Sequence, residues 1–228
     1  MIDRMQTGCF GSLFYAMAYR NFALFALLAL SAACTTAAPG ARDSRLSPEV
    51  RTFVPLALAD RTGGSKKPWA VLDKHGARVY LFDDGGVLLA SSPVLLGAAI
   101  GDDSVPGIGD RKIADIRPSE KTTPAGRFLT EPGTNLQGED IVWVDYDAAI
   151  SMHRVRPLKG ERRLERLASA SPRDNRISYG CINVPAAFYD RWIKPAFGTR
   201  AGILYVLPET RTAHAQFRNI LPVSASRH

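Results

Sequence analysis

Trp69-Ala70-Val71-Leu72, Ala77-Arg78-Val79-Tyr80-Leu81-Phe82 and Val87-Leu88-Leu89-Ala90 are short apolar runs separated only by Asp73-Lys74-His75-Gly76 and Asp83-Asp84-Gly85-Gly86. Runs of this length, bounded by Asp- and Gly-containing turns, predict short strands. The same rhythm continues at 126–130, 141–146 and 148–153. It closes with Ile203-Leu204-Tyr205-Val206-Leu207, which is apolar throughout and reads as a central strand. Helical signals are minor. Within 161–169, Leu164 and Leu167 share a face, and within 185–194 Phe188 pairs with Trp192 and Tyr189 with Ile193 at helical spacing. Pro185 suits a first helical position and Lys194-Pro195 a stop. The expected fold is mainly β, a sandwich or distorted barrel with one or two short helices.

Upstream, Arg4 and Arg20 precede Phe22-Ala23-Leu24-Phe25-Ala26-Leu27-Leu28-Ala29-Leu30 and then Ser31-Ala32-Ala33-Cys34. A basic flank, a short apolar core and small residues at the exit predict a secretory signal over 1–34, with a permanent membrane anchor as the alternative. Leu30-Ser31-Ala32-Ala33-Cys34 is similar to a lipoprotein processing site, and an ordinary cleavage within 32–41 competes with it. Export predicts a periplasmic location, and lipidation of Cys34 would add an outer-membrane anchor. Residues 35–52 then read as a flexible tether, 53–210 as the folded domain and 211–228 as a tail. The 228 residues, 46% hydrophobic and 22% charged, suffice for one such domain. The net charge is +7, with no aromatic-interleaved basic patch or zinc-finger spacing, so no nucleic-acid partner is expected.

Of Cys9, Cys34 and Cys181, the first leaves with the leader and the second is removed or lipidated, which leaves Cys181 without a disulfide partner in its own chain. A lone thiol in an oxidising compartment is either buried and inert or kept for reactivity. It lies in Ser178-Tyr179-Gly180-Cys181-Ile182-Asn183, where Gly180 removes bulk beside the sulfur and a turn would aim backbone N–H groups into one small space. Among the four histidines, His228 is terminal, His214 is in the tail and His75 in a turn, whereas His153 ends a strand. It is the candidate base, the alternative being a histidine satisfied by a neighbouring carbonyl.

Thr123-Pro124-Ala125-Gly126-Arg127-Phe128, the Met152-His153 strand end and the block around Cys181 occur in the order seen in the YkuD-type L,D-transpeptidase catalytic domain, which this chain resembles over roughly 68–208. The resemblance implies a β-rich fold around a groove, Cys181 as nucleophile, His153 as base, the Arg154 carbonyl orienting its ring and Gly180 supplying an oxyanion donor. Ser178, Tyr179 and Asn183 would support them. It also implies thioester formation on peptidoglycan tetrapeptide stems with transfer to an amine acceptor. Predominant hydrolysis of the stems and a non-catalytic envelope-binding lipoprotein are the competing functions.

The chain departs from that pattern at Tyr179, where histidine is usual, and at Arg154, where a small residue is usual; the large side chain is expected to narrow the groove or meet a substrate carboxylate. The 24 residues between His153 and Ser178 are also unusually many and rich in arginine. Either they form a solvated helical insert, or Arg162, Arg163 and Arg166 belong to a basic lid that binds carboxylates. No metal site or cofactor is expected, because His75, Asp73, Asp83 and Asp84 lack compact ligand spacing and the glycines at 97, 101, 107 and 109 make no phosphate loop.

Overall fold

The computed structural model describes residues 43–61 and 66–220. The expected leader, with Arg4, Arg20, Cys9 and Cys34, lies outside the described residues, as do residues 35–42 of the expected tether and His228.

The strands are β1 (Trp69–Asp73), β2 (Arg78–Phe82), β3 (Leu88–Pro93), β4 (Leu96–Gly97), β5 (Gly126–Thr134), β6 (Asp140–Asp145), β7 (Ile150–Arg154), β8 (Arg176–Ser178), β9 (Ile182–Val184) and β10 (Gly202–Val206). Eight of them form one mixed sheet in the order β3-β2-β1-β10-β5-β6-β7-β9. Every residue of β10 is buried, and it lies between β1 and β5, the central place expected for the 203–207 run. The sheet nearly closes on itself. Leaving β3 at one edge, the chain crosses to β9 at the other, where Leu95 and Asn183 exchange backbone hydrogen bonds of 2.8 and 2.9 Å. β4 then pairs with β8. The expected sandwich or distorted barrel is the architecture observed.

Alternation along the strands sorts side chains onto two faces. Ala70, Leu72, Val79, Leu81, Val142, Met152, Ile182, Val184 and Leu204 fill the enclosed core. Trp69, Val71, Tyr80, Phe82, Ile203 and Tyr205 point the other way and are covered by a helix, α1 (Pro48–Asp60). Ser47 caps it by accepting from Val50 N–H, Pro48 starts it, and Val50, Phe53, Val54 and Ala57 make its buried stripe. The helix therefore begins inside the stretch read as tether. Burying Phe53 and its neighbours contributes about 1.5–3 kcal/mol per large side chain.

The remaining helices are short: α2 (Arg163–Ala168), α3 (Ala186–Phe188), α4 (Lys194–Phe197) and α5 (Ala213–Gln216). A π-helical turn, Tyr189–Ile193, joins α3 to α4 and carries the helical rod past Lys194-Pro195, the expected stop. Pro195 is tolerated there because it falls in the first turn of α4. Among the described residues, no helix is long and apolar enough to cross a membrane.

Candidate active site

β7 and β9 run parallel with Met152 opposite Ile182 and His153 opposite Asn183. Met152 and Ile182 point into the core, so Ser151, His153, Cys181 and Asn183 share the opposite face. Strand parity alone thus brings His153 and Cys181 together, although 27 residues lie between them in the chain. Cys181 is half-buried. Its sulfur lies 3.7 Å from Ser151 Oγ and 3.7 Å from the Ala149 carbonyl.

His153 Nδ1 lies 2.8 Å from the Arg154 carbonyl oxygen. A carbonyl only accepts, so this contact selects the tautomer with the proton on Nδ1 and leaves Nε2 with a free lone pair. Burial pushes the Cys181 thiol up, but a hydrogen bond to His153, the histidine's charge, and the amide and hydroxyl of Ser151 outweigh it; the thiol is held below the usual range. Such a pair can deprotonate a thiol near neutrality and return the proton to a leaving group.

The turn before the cysteine is tied from several sides. Ser178 Oγ donates to the Cys181 carbonyl at 2.7 Å and accepts from Gly180 N–H at 3.1 Å. Asn183 Nδ2 donates to the same carbonyl at 3.1 Å. Ser178 and Asn183 therefore hold the backbone of the cysteine turn. The expected oxyanion role of Gly180 needs correction, because its N–H is engaged by Ser178 within the turn. What position 180 requires is the glycine itself. Its φ is +133°, and a Cβ would come within 2.6 Å of the Thr122 carbonyl oxygen and 2.5 Å of Ile150 Cδ1.

Two residues with no role assigned from sequence contribute. Thr123 Oγ1 donates to the Gly180 carbonyl at 2.8 Å and accepts from Gly97 N–H at 2.9 Å, which fixes the threonine-proline block behind the cysteine turn. Ser151 was visible in principle, since it lies two residues before His153 on the same face. Behind Thr123, the fully buried Lys74 ammonium donates to Asp102 at 2.7 Å, to the Gly101 carbonyl at 2.6 Å and to the Thr123 carbonyl at 2.9 Å. Arg176 pairs with Glu209 and donates to the Lys74 carbonyl at 2.9 Å. Gly97 and Gly101 belong to this pinned region.

Arg154 does not reach the groove. β7 turns its side chain away from His153, where it bonds Asp140 at 3.1 Å and Asp190 at 2.5 Å and lies 4.2 Å above the Tyr189 ring. The lid arginines are likewise occupied. Arg162 pairs with Glu165. Arg166 donates to the carbonyls of Glu161 and Asp174, both at 2.9 Å. Arg163 is buried, pairs with Glu161, and donates at 2.8 Å to Asn183 Oδ1, so it props the residue that holds the Cys181 carbonyl. The insert packs Val155, Leu167 and Ile177 against Leu95. It is a folded helical insert in which these three arginines are each engaged, so the expected carboxylate-binding role of Arg162, Arg163 and Arg166 has no free cation among them.

Accordingly, Arg163→Met is expected to lower the unfolding free energy by about 1–3 kcal/mol, because it leaves buried Asn183 Oδ1 unsatisfied. Arg162→Met at the exposed pair should stay within about 0.5 kcal/mol of the unaltered protein. Chemical denaturation of the two variants checks the contrast.

A groove of about 410 Å³ between α1 and the 207–213 segment, lined by Phe53, Leu56, His75 and Arg211 among others, contains none of the residues around Cys181. Among the described residues, no cluster of three His, Cys, Asp or Glu side chains is placed to hold a metal ion.

No protein-family profile matches this sequence. No curated protein matches it as a relative either. Among solved structures, it is similar to an L,D-transpeptidase from Xylanimonas cellulosilytica at 14% identity, covering 63% of this chain and 61% of that one, with a TM-score of 0.38. It is similar to an L,D-transpeptidase from Mycobacterium smegmatis at 16% identity, over 61% of this chain and 58% of that one, with a TM-score of 0.35. The helical cell shape determining protein of Campylobacter jejuni is similar at 13% identity, over 73% and 58% of the two chains, with a TM-score of 0.41. The chain thus spans 61% of the length of the Xylanimonas structure and 58% of each of the other two.

Proposed function

We propose that this chain is a cysteine acyltransferase of the L,D-transpeptidase type, acting on the stem peptides of peptidoglycan. The observation that carries this reading is the histidine ring held by the Arg154 carbonyl, with its free nitrogen left for a cysteine whose thiol is held below the usual range. The ordered sequence blocks around Thr123, His153 and Cys181 supply the substrate class.

In this mechanism His153 Nε2 takes the Cys181 proton and the sulfur adds to the diaminopimelate carbonyl that precedes a terminal D-alanine. Collapse of the tetrahedral adduct breaks the C–N bond, and the D-alanine nitrogen leaves with the proton from His153. The stem is now a thioester on Cys181. An amine acceptor loses a proton to His153 as it attacks, the C–S bond breaks, and the thiol is restored. Export on the leader at 1–34, with lipidation at Cys34, belongs to the same proposal, since it would bring the enzyme to its polymer.

Incubation with purified tetrapeptide-bearing peptidoglycan, followed by mass analysis of the fragments, tests the function. Crosslinked or acceptor-exchanged stems, with release of D-alanine, are expected. Tripeptide stems alone would assign the acyl-enzyme to water and make the protein a hydrolase. Unchanged stems would overturn the reading.

A further inference from the structure

Lys121 enters the 121–123 segment that lies against the cysteine turn. Its backbone is fixed: the Lys121 carbonyl accepts from Ala99 N–H at 3.0 Å, and Gly97 packs so closely that a Cβ there would stand 2.3 Å from the same oxygen. Two residues on, Thr123 bonds the Gly180 carbonyl. The ammonium projects from this rigid base to 3.9 Å from the centroid of the Tyr179 ring. Tyr179 is 38% exposed and stands two residues before the nucleophile.

Among the described residues, no carboxylate pairs with this ammonium. The adjacent acid, Glu120, is already taken by Arg111 at 3.1 and 3.0 Å and by Arg117 N–H at 2.8 Å. Among the described residues, no acceptor is met by the Tyr179 hydroxyl either. An aromatic face holds a cation in place while leaving its outward N–H groups free. Arg162, Arg163 and Arg166 are each taken by a carboxylate or carbonyl of the insert, whereas this lysine is not.

We propose that Lys121 and Tyr179 form a carboxylate seat beside Cys181, which holds the terminal carboxylate of the residue released from the acyl donor. Two residues of backbone span at most about 7 Å, so the Cα of Tyr179 stands within that distance of the nucleophile's own Cα. The ammonium and the phenol donate to the two carboxylate oxygens. This assignment rests on the acyl-transfer reading for its substrate. Its chemistry, a seat for a small anion next to the thiol, can be measured without one.

The experiment compares alkylation of Cys181 by iodoacetate and by iodoacetamide, two reagents of similar size of which only the first is anionic. In Lys121→Met the iodoacetate-to-iodoacetamide rate ratio should fall about fivefold, and 1 M salt should compress the same ratio in the unaltered protein. Lys121→Arg should restore the ratio by keeping the cation, and Tyr179→Phe should lower it about twofold. With stem peptides, Lys121→Met should cut the kcat/KM preference for a terminal carboxylate over a terminal amide about tenfold. An unchanged alkylation ratio in Lys121→Met overturns the seat, as does equal weakening on both stems. Failure of the acyl-transfer reading appears elsewhere, as stems left unprocessed by a protein whose alkylation ratio still depends on Lys121.

Discussion

Cys181→Ala is expected to abolish thioester formation and all turnover of stem peptides while the protein remains folded. In the proposed mechanism the sulfur is the atom that adds to the carbonyl, and no other cysteine exists in the 66–220 segment to replace it. Structurally the change is mild. The residue's backbone is held by Ser178 and Asn183 through its carbonyl, contacts that alanine retains, and the thiol itself gives up only its hydrogen bond to His153 and contacts at 3.7 Å. The unfolding temperature should therefore move by no more than about 3 °C. Differential scanning calorimetry alongside intact-mass detection of the acyl-enzyme separates the two effects. A variant that is inactive because it is unfolded would not count, and turnover by a folded variant would remove Cys181 from its role.

His153→Ala should reduce the acylation rate about 10²- to 10⁴-fold near neutral pH, the range expected when a positioned general base is lost. The pH dependence gives a sharper signature. Burial raises the thiol pKa, while the hydrogen bond and charge of His153, aided by Ser151, bring it below the ordinary value. In the unaltered protein, reaction of Cys181 with iodoacetamide should thus persist to lower pH than that of a free thiol. Removing His153 deletes the largest lowering contributions and leaves burial opposed only by Ser151, so the reactive limb should move upward. A pH profile identical in both proteins would show that the imidazole does not govern the sulfur.

The pairing of these two residues was legible because it depends on strand parity. His153 ends a strand-like run and Cys181 opens another, and two parallel neighbours with their apolar residues turned inward must present these side chains together. The sheet was legible for the same reason, from turn residues and short apolar runs. What escaped depends on partners distant in sequence. The stripe Val50, Phe53, Val54 and Ala57 becomes a helix face only when Trp69, Tyr205 and Phe217 lie beneath it, and Pro55 within the helix reads as a breaker. The arginines between His153 and Ser178 left a solvated insert and a basic lid both open, because charge composition does not reveal which carbonyl or carboxylate each one meets. Arg163 meets Asn183 in the interior, and Arg154 meets Asp140 and Asp190 on the far side of its strand. Lys74, read as one residue of a polar turn, is fully buried because Asp102 and two carbonyls surround its ammonium. The engagement of Gly180 N–H by Ser178 likewise follows from a turn geometry that no spacing rule specifies.

The central claim is that Cys181 carries the stem as a thioester. Its most direct test is intact-mass analysis of the protein after brief exposure to a soluble disaccharide-tetrapeptide, quenched in acid and followed by proteolytic mapping. The account predicts a mass increase equal to the donor less D-alanine, located on the peptide containing Cys181, discharged by hydroxylamine and absent from Cys181→Ala. No adduct under conditions where stems are converted, or an adduct on another residue, would contradict it.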